Sequence, residues 1–431
     1  MKKIKVLRII ARLNIGGPAV HAILLTKWLN SDKFDSLLVT GVIGQNEGDM
    51  MYLAETNNIK PIIIKELGME ISWRDDIAAF YKILRLIIRE KPDIIHTHTA
   101  KAGTLGRIAG IIYNIFYPLF HPPLDLPFIP SFRRRGRGGR KGGRGGVMLV
   151  HTFHGHIFHS YFSPLKTKLF IFIERILAKF THKIIAISNK QMNELSEKLK
   201  ISYSKKFELI PLGLDLSSFY DIERYRGLFK KEMGLDKDVK LVGIIGRLVP
   251  VKNHRMFLNT IKIFNEKGDK AKVKFLIIGD GELREDLEKY SIEAGIAGYV
   301  IFTGWRKDLE RVYADLDIVA LTSFNEGTPV SIIEAMASGK PVIAAEVGGV
   351  RDMFTSKCKM QNAKCKMQEE GILIDSNDSD SLVDGIKFLL SNPAMAEDMG
   401  KKGRVFVKER FDIERLARDM EGMYERLVVS H

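Results

Sequence analysis

A chain of 431 residues, 45% hydrophobic and 28% charged, is a globular sequence too long for one ordinary core, so two or three domains are expected. Two cysteines, Cys358 and Cys365, exclude a disulfide scaffold, and no segment reaches the roughly 20 uninterrupted apolar residues of a membrane span. The formal net charge of +15 would suit a nucleic-acid binder, but seven basic residues fall in one glycine-rich stretch, 132–146, with no aromatics interleaved among them to stack on bases.

The N-terminus begins like a secretory leader, yet Arg8 and Arg12 interrupt its apolar run, so it is expected to be a first buried strand of a cytoplasmic protein. From there apolar strands alternate with amphipathic helices. Strands are expected at 6–11, 35–42, 60–64, 94–97, 148–153, 183–187 and 207–210, with helices at about 19–30, 49–57, 73–90, 101–114, 165–180 and 190–199. The chain turns near 211–215 and the pattern restarts, with strands at 240–245, 274–278, 300–302, 317–321, 341–344 and 371–374. The expected fold class is α/β: two Rossmann-like, doubly wound parallel-sheet domains, 1–212 and 213–410, facing a central cleft. A final helix within 411–431 is amphipathic and suited to packing back on the first domain. Two stretches, 118–146 and 355–370, are expected to be exposed, disordered insertions. The second repeats Lys-Cys-Lys-Met-Gln twice without the four ligands of a structural zinc site.

Chemistry gathers at strand ends. The run Ser323-Phe-Asn-Glu-Gly-Thr-Pro-Val-Ser-Ile-Ile-Glu-Ala-Met-Ala-Ser-Gly-Lys-Pro-Val342 is a strand end, a tight loop and a helix from Val330 to Ser338, stopped by Gly339. The free N–H groups of that helix suit an anion. Glu326 precedes the helix and Glu334 lies about two turns along it. Spacing alone leaves them open as an acid/base pair or as two exposed acids beside a core helix.

Upstream, Gly246-Arg-Leu-Val-Pro-Val-Lys-Asn-His254 follows a strand and carries the cations Arg247 and Lys252. In Ile278-Gly-Asp-Gly-Glu-Leu283 glycines end another strand and admit close backbone approach; the run lacks the remaining spacing of a dinucleotide fingerprint, which disfavours a nicotinamide dehydrogenase. Arg12-Leu-Asn-Ile-Gly-Gly-Pro-Ala-Val-His21 opens a helix after the first strand. His96-Thr-His-Thr-Ala-Lys101 and His151-Thr-Phe-His-Gly-His156 end strands on the cleft side, and strand alternation is expected to send neighbouring histidines to opposite faces. The pair Asp315 and Asp317, and the acidic cluster 375–380, fit helix capping better than a metal or EF-hand site. No metal is expected.

In this order the blocks resemble the retaining glycosyltransferases of family 4, which have the two-domain GT-B fold and a Glu-x7-Glu signature, and among them bacterial surface-polysaccharide transferases. The resemblance implies metal-independent transfer of a hexosyl or N-acetylhexosaminyl unit from a nucleotide-diphosphate sugar to an acceptor hydroxyl, with no cofactor beyond the donor. It implies that Arg247 and Lys252 stabilise the departing diphosphate, that Glu326 and His154 orient the donor sugar, and that Glu334 holds the ribose. Gly16, Gly17, Gly279, Gly281, Gly327 and Thr328 would line the nucleotide, with His98, His156, Lys101 and Trp305 as secondary candidates. The implied acceptor is a lipid-linked saccharide, met by a cytoplasmic or peripheral protein at the inner face of the membrane, with no nucleic-acid partner. Two rivals are a nucleotide-sugar epimerase of the same fold and a basic RNA- or membrane-binding module driven by the arginine–glycine tract.

Overall fold

The structure, a computed structural model, describes residues 2–29, 31–44, 48–68, 72–120, 146–154, 164–267, 272–354, 361–362 and 365–429. Uninterrupted apolar runs such as Ile318–Leu321 and Val342–Ala345 are what a parallel strand covered on both faces requires, and β1 (Ile4–Ile10) is buried from Val6 onward although Arg8 interrupts it. In the first sheet β1 is joined by β2 (Phe34–Thr40), β3 (Ile62–Ile63), β4 (Ile94–His98), β5 (Met148–Phe153), β6 (Lys183–Ala186) and β7 (Phe207–Leu209), all parallel, in the order β3-β2-β1-β4-β5-β6-β7. The second sheet contains β8 (Lys240–Ile245), β9 (Val273–Ile278), β10 (Val300–Gly304), β11 (Ile318–Leu321), β12 (Val342–Ala345), β13 (Gln361–Asn362), β14 (Cys365–Met367) and β15 (Gly371–Ile374). Its order is β10-β9-β8-β11-β12-β15-β14-β13. Strand order turns outward in the opposite sense at the parallel neighbours β1 and β4 and again at β8 and β11. Those switch points open crevices at the carboxyl ends of the strands, where α/β folds bind ligands.

Two expectations change. The helix Ala100–Phe120 continues past 114 into the first residues of the stretch expected as an insertion; the rest of that stretch, through 145, lies outside the described residues. The second expected insertion is partly sheet, since β14 pairs antiparallel with β15 and β13 with β14. The reason is a period-two alternation in Lys-Cys-Lys-Met: Cys365 and Met367 pack on the second core, while Lys366 Nζ reaches Glu346 (2.7 Å) and Asp375 (3.0 Å).

The chain passes between the sheets twice, and the two passages are bonded to each other. Leu214 N donates to Phe411 O (2.8 Å) and Ile413 N to Leu214 O (3.1 Å). Arg415 then donates to the carbonyls of Pro211 and Leu212, and the helix Ile413–Val429 lies on the first domain. Its Tyr424 is fully buried, with its hydroxyl 2.5 Å from His96 Nδ1 and 3.3 Å from Arg8 Nη2. Arg8 is itself wholly enclosed, and its hydrogen bonds among the described residues go to the hydroxyls of Thr26, Ser36 and Tyr424. At the rim Arg426 pairs with Glu208 (2.6 Å) and Lys33 with Glu425 (3.0 Å).

Burying a guanidinium on hydroxyls alone is costly unless each bond is kept. Tyr424→Phe is therefore expected to destabilise the protein by about 1–3 kcal/mol, because it strips a partner from two buried groups at once. A urea titration followed by circular dichroism would show a lower midpoint with unchanged native helicity; equal midpoints would contradict it.

Candidate active site

The loops that follow β8, β9, β11 and β12 nest backbone against backbone. Gly279 has φ 137°, and a Cβ there would collide with the Gly246 carbonyl; one at Gly281 would strike the backbone of Leu248. Hydrogen bonds from Gly246 N to Ile278 O and from Leu248 N to Asp280 O, both 2.9 Å, close this contact. Across the site Gly348, at φ 53°, lies on the backbone of Glu326, and Gly349 on the carbonyl of Gly327. Gly349 N donates to Glu326 O at 2.9 Å. Gly279 and Gly281 thus buttress the Gly246–Leu248 turn from behind, while Gly348 and Gly349, which sequence reasoning missed, shape the turn that carries Glu326.

The structure brings Glu326 and Lys252 into direct contact. Lys252 Nζ is 2.5 Å from Glu326 Oε1, and Ser323 Oγ donates to the same oxygen at 2.6 Å. Phe324 N donates to Val251 O (2.8 Å), and Thr322 Oγ1 sits 3.0 Å from the carbonyls of Lys252 and Asn253, so the loops from β8 and β11 are locked together. Arg247, on the same turn, is exposed and makes no ion pair among the described residues. The carboxylates of Asp315 and Asp317 are occupied elsewhere. Asp315 accepts from Gly227 N and Lys230 N, and Asp317 from Leu241 N and Lys240 Nζ.

Gly327 and Thr328 form the turn into the helix Val330–Ala337, whose N-cap is Pro329. No side chain caps it, and none caps the helix Gly17–Trp28, whose N-cap is Gly16. These two N-termini meet across the cleft: the Cβ position of Gly17 lies 3.4 Å from Val330 Cγ2. Each carries uncompensated N–H groups and the positive end of a helix dipole, so an anion between them would relieve both. Thr328 also borders a cavity of about 290 Å³ between the domains, lined by Ser188, Gly349, Asp352, Arg410 and Arg415.

Glu334 projects from the same helix. Although part of the residue is accessible, burial of the carboxylate raises its pKa to about 7, against the lowering effect of a 3.0 Å hydrogen bond from Tyr313. The first domain answers with Tyr52, whose pKa is raised by burial and then by the charge of Glu334. Lys307 Nζ stands 4.8 Å from the Tyr52 ring centre, a contact between the domains. Trp305 is 40% exposed nearby in sequence. None of Tyr52, Tyr313 or Lys307 was foreseen, since they reach this point from separate elements and carry no motif.

On the first domain, the expectation that strand alternation separates the histidines is corrected. His96 and His98 are two residues apart, so they share one face of β4, with ring centres 4.3 Å apart. His98 Nδ1 is 2.8 Å from His154 Nε2, and His21, from the helix Gly17–Trp28, completes the group at 4.9 Å from the His154 ring centre. His151 lies on the other face, with Nδ1 2.8 Å from Thr97 Oγ1. Burial lowers the pKa of all five, that of His154 to about 3, and Arg8 adds a further lowering at His21, His96 and His98. His21, His96, His98 and His154 form a neutral wall. Ring nitrogens of His21, His98 and His154 lie within 4.8 Å of one another, a spacing that could hold a cation; among the described residues no carboxylate joins them, and the charges of Arg8 and Arg415 act on His21. Thr99, at the end of β4, is held at φ 66°, strained for a β-branched residue; its hydroxyl is 3.4 Å from Ala11 N and ties β4 to the loop after β1. Lys101 pairs with Asp76 at 2.7 Å. His156 lies outside the described residues.

The comparisons with known proteins agree with this geometry. The family model described as "Glycosyl transferase 4-like domain" matches residues 16–213, and that described as "Glycosyl transferases group 1" matches residues 226–406. The chain belongs to the GT-B glycosyltransferases. This transferase is 26% identical over 375 residues to the Escherichia coli UDP-Gal:alpha-D-GlcNAc-diphosphoundecaprenol alpha-1,3-galactosyltransferase, covering 87% of this chain and 86% of that one. It is 23% identical to the Staphylococcus aureus capsular polysaccharide biosynthesis glycosyltransferase CapM, with 82% of each covered. In fold it is similar to Anabaena HepE crystallised with UDP and glucose, at TM-score 0.74 and 19% identity over 98% of this chain and 99% of that one. Sucrose-phosphate synthase from Thermosynechococcus elongatus gives TM-score 0.74 at 18% identity, over 99% and 100%.

The raised pKa of Glu334 makes a pH prediction for the transferase without ligand. Between the unfolded value near 4.5 and the folded value of about 7, the native state holds a proton that the unfolded state has lost, so stability falls as pH rises through this window and levels above it. Glu334→Gln should remove that fall, worth about 2 kcal/mol after allowance for partial exposure. Urea midpoints at pH 5 and pH 8 should draw apart in the native protein more than in the variant; parallel shifts would refute the assignment.

Proposed function

We propose that this transferase moves a hexosyl or N-acetylhexosaminyl unit, with retention of anomeric configuration and without a metal ion, from a uridine-diphosphate sugar to a hydroxyl of a lipid-linked saccharide in cell-surface polysaccharide synthesis. The observation that carries the reading is the Lys252–Glu326 contact of 2.5 Å, on the loop beside the meeting of two uncapped helix N-termini. Breaking an anomeric C–O bond leaves a diphosphate with growing negative charge, and fixed cations and helix N-termini stabilise it. The UDP and glucose bound to HepE, and the lipid-linked acceptor of the Escherichia coli galactosyltransferase, support the uridine nucleotide and the lipid-linked acceptor.

In this reading the diphosphate rests on the backbone of Gly16, Gly17, Gly327 and Thr328, with Arg247 and Lys252 as its cations. Drawing Lys252 toward phosphate releases the Glu326 carboxylate to accept hydrogen bonds from the donor sugar. His154, kept neutral by burial, bonds a sugar hydroxyl without adding charge. Glu334 accepts from the ribose hydroxyls, which favours its ionised form, so nucleotide binding releases a proton near neutral pH. The departing phosphate takes the acceptor proton, so no separate base is required. Closure of the domains would exclude water from the reacting centre.

Release of uridine diphosphate from a panel of its sugars, with and without a lipid-linked saccharide, tests the assignment. Glu326→Ala is expected to lower kcat about 100-fold or more while leaving nucleotide affinity nearly intact. Glu334→Ala should weaken the nucleotide about tenfold, the cost of one hydrogen bond to a charged group, and excess EDTA should change neither rate. Unchanged kinetics in both variants would sink the roles; sugar interconversion without acceptor would favour the epimerase.

A further inference from the structure

The helix Pro164–Phe180 presents an outer face unlike that of a solvated helix. Leu165, Leu169, Phe172, Ile176 and Phe180 are 79%, 56%, 60%, 40% and 53% exposed. Their spacing of three and four residues places them in one stripe along the helix. Lys166, Lys168, Arg175 and Lys179 flank the stripe and are exposed as well. The helix has one acid, Glu174, and it points inward, 5% exposed, where Arg107 binds both its oxygens at 2.7 and 2.8 Å. The outward face is therefore apolar and purely cationic.

We infer that this helix is a docking surface for an anionic phospholipid bilayer, lying in the headgroup plane with its stripe among the acyl chains. Charge decides the occupant. A second copy of the same face would set four cations against four, whereas anionic headgroups complement every one of them. At 17 residues and with cations throughout, the helix does not cross the bilayer. The inference deepens the proposed function, because a lipid-linked acceptor is met at a bilayer, but the stripe stands whatever the acceptor is.

The full-length protein should float with vesicles of phosphatidylglycerol and phosphatidylcholine, and at least about tenfold less with phosphatidylcholine alone or in high salt. Leu169→Glu together with Phe172→Glu, at sites already exposed, should cut binding to the anionic vesicles at least about tenfold while uridine diphosphate release without acceptor continues unchanged. Absence of flotation, or equal flotation of the variant, overturns the inference. So does a dimer in solution that the double variant abolishes, since the stripe would then belong to a second copy. Vesicle binding by a protein that turns over no donor leaves the docking surface standing and defeats the proposed reaction instead.

Discussion

The constraint on which the active site depends is that four loops must pack backbone to backbone. Glycine is required where Gly279 meets Gly246 and where Gly348 meets Glu326, because any Cβ at either place would occupy the neighbouring carbonyl. This nesting brings the β8 and β11 loops close enough for Lys252 and Glu326 to touch, and it leaves the Gly327 turn open toward the cleft. A side chain added behind the nest would displace the charged groups without touching them.

The charges follow one plan. Helix N-termini, Arg247 and Lys252 bring positive charge to the loops around the cleft, while burial keeps the histidines of the first domain neutral. Of the two glutamates on the cleft, Glu326 is held by a cation and Glu334 is close to half protonated at neutral pH. A dianionic group gains from the helix N-termini and the cations among these features.

Much of this was legible in the chain because parallel strands and strand-end loops write themselves locally. Apolar runs marked the strands, and the Gly246–His254 and Ser323–Val342 blocks located both walls of the donor-side nest. What stayed hidden depends on distance. Tyr52 and Tyr313 converge on Glu334 from two elements, Lys307 meets Tyr52 from a third segment, and His21 reaches His154 from a helix whose motif pointed to glycines. The histidine error was of another kind: residues two apart on a strand share a face, so the pattern itself already placed His96 beside His98. The Cys365–Met367 strand was read as low complexity because its repeat obscured its alternation.

The histidine wall is also tied to the chain passage between the domains. Tyr424, at the end of the polypeptide, bonds His96; His96 stacks on His98; His98 bonds His154. The last helix therefore belongs mechanically to the first domain although it follows the second in sequence. Relative motion of the domains then falls on the two bonded passages at Leu214 and Phe411, leaving the histidines and Tyr424 to move as one body. A transferase built this way can vary the distance between its glycine-capped helix and the Gly327 turn while the histidine wall keeps its shape, which is the separation that the proposed reaction requires for closing on a diphosphate and positioning a hydroxyl.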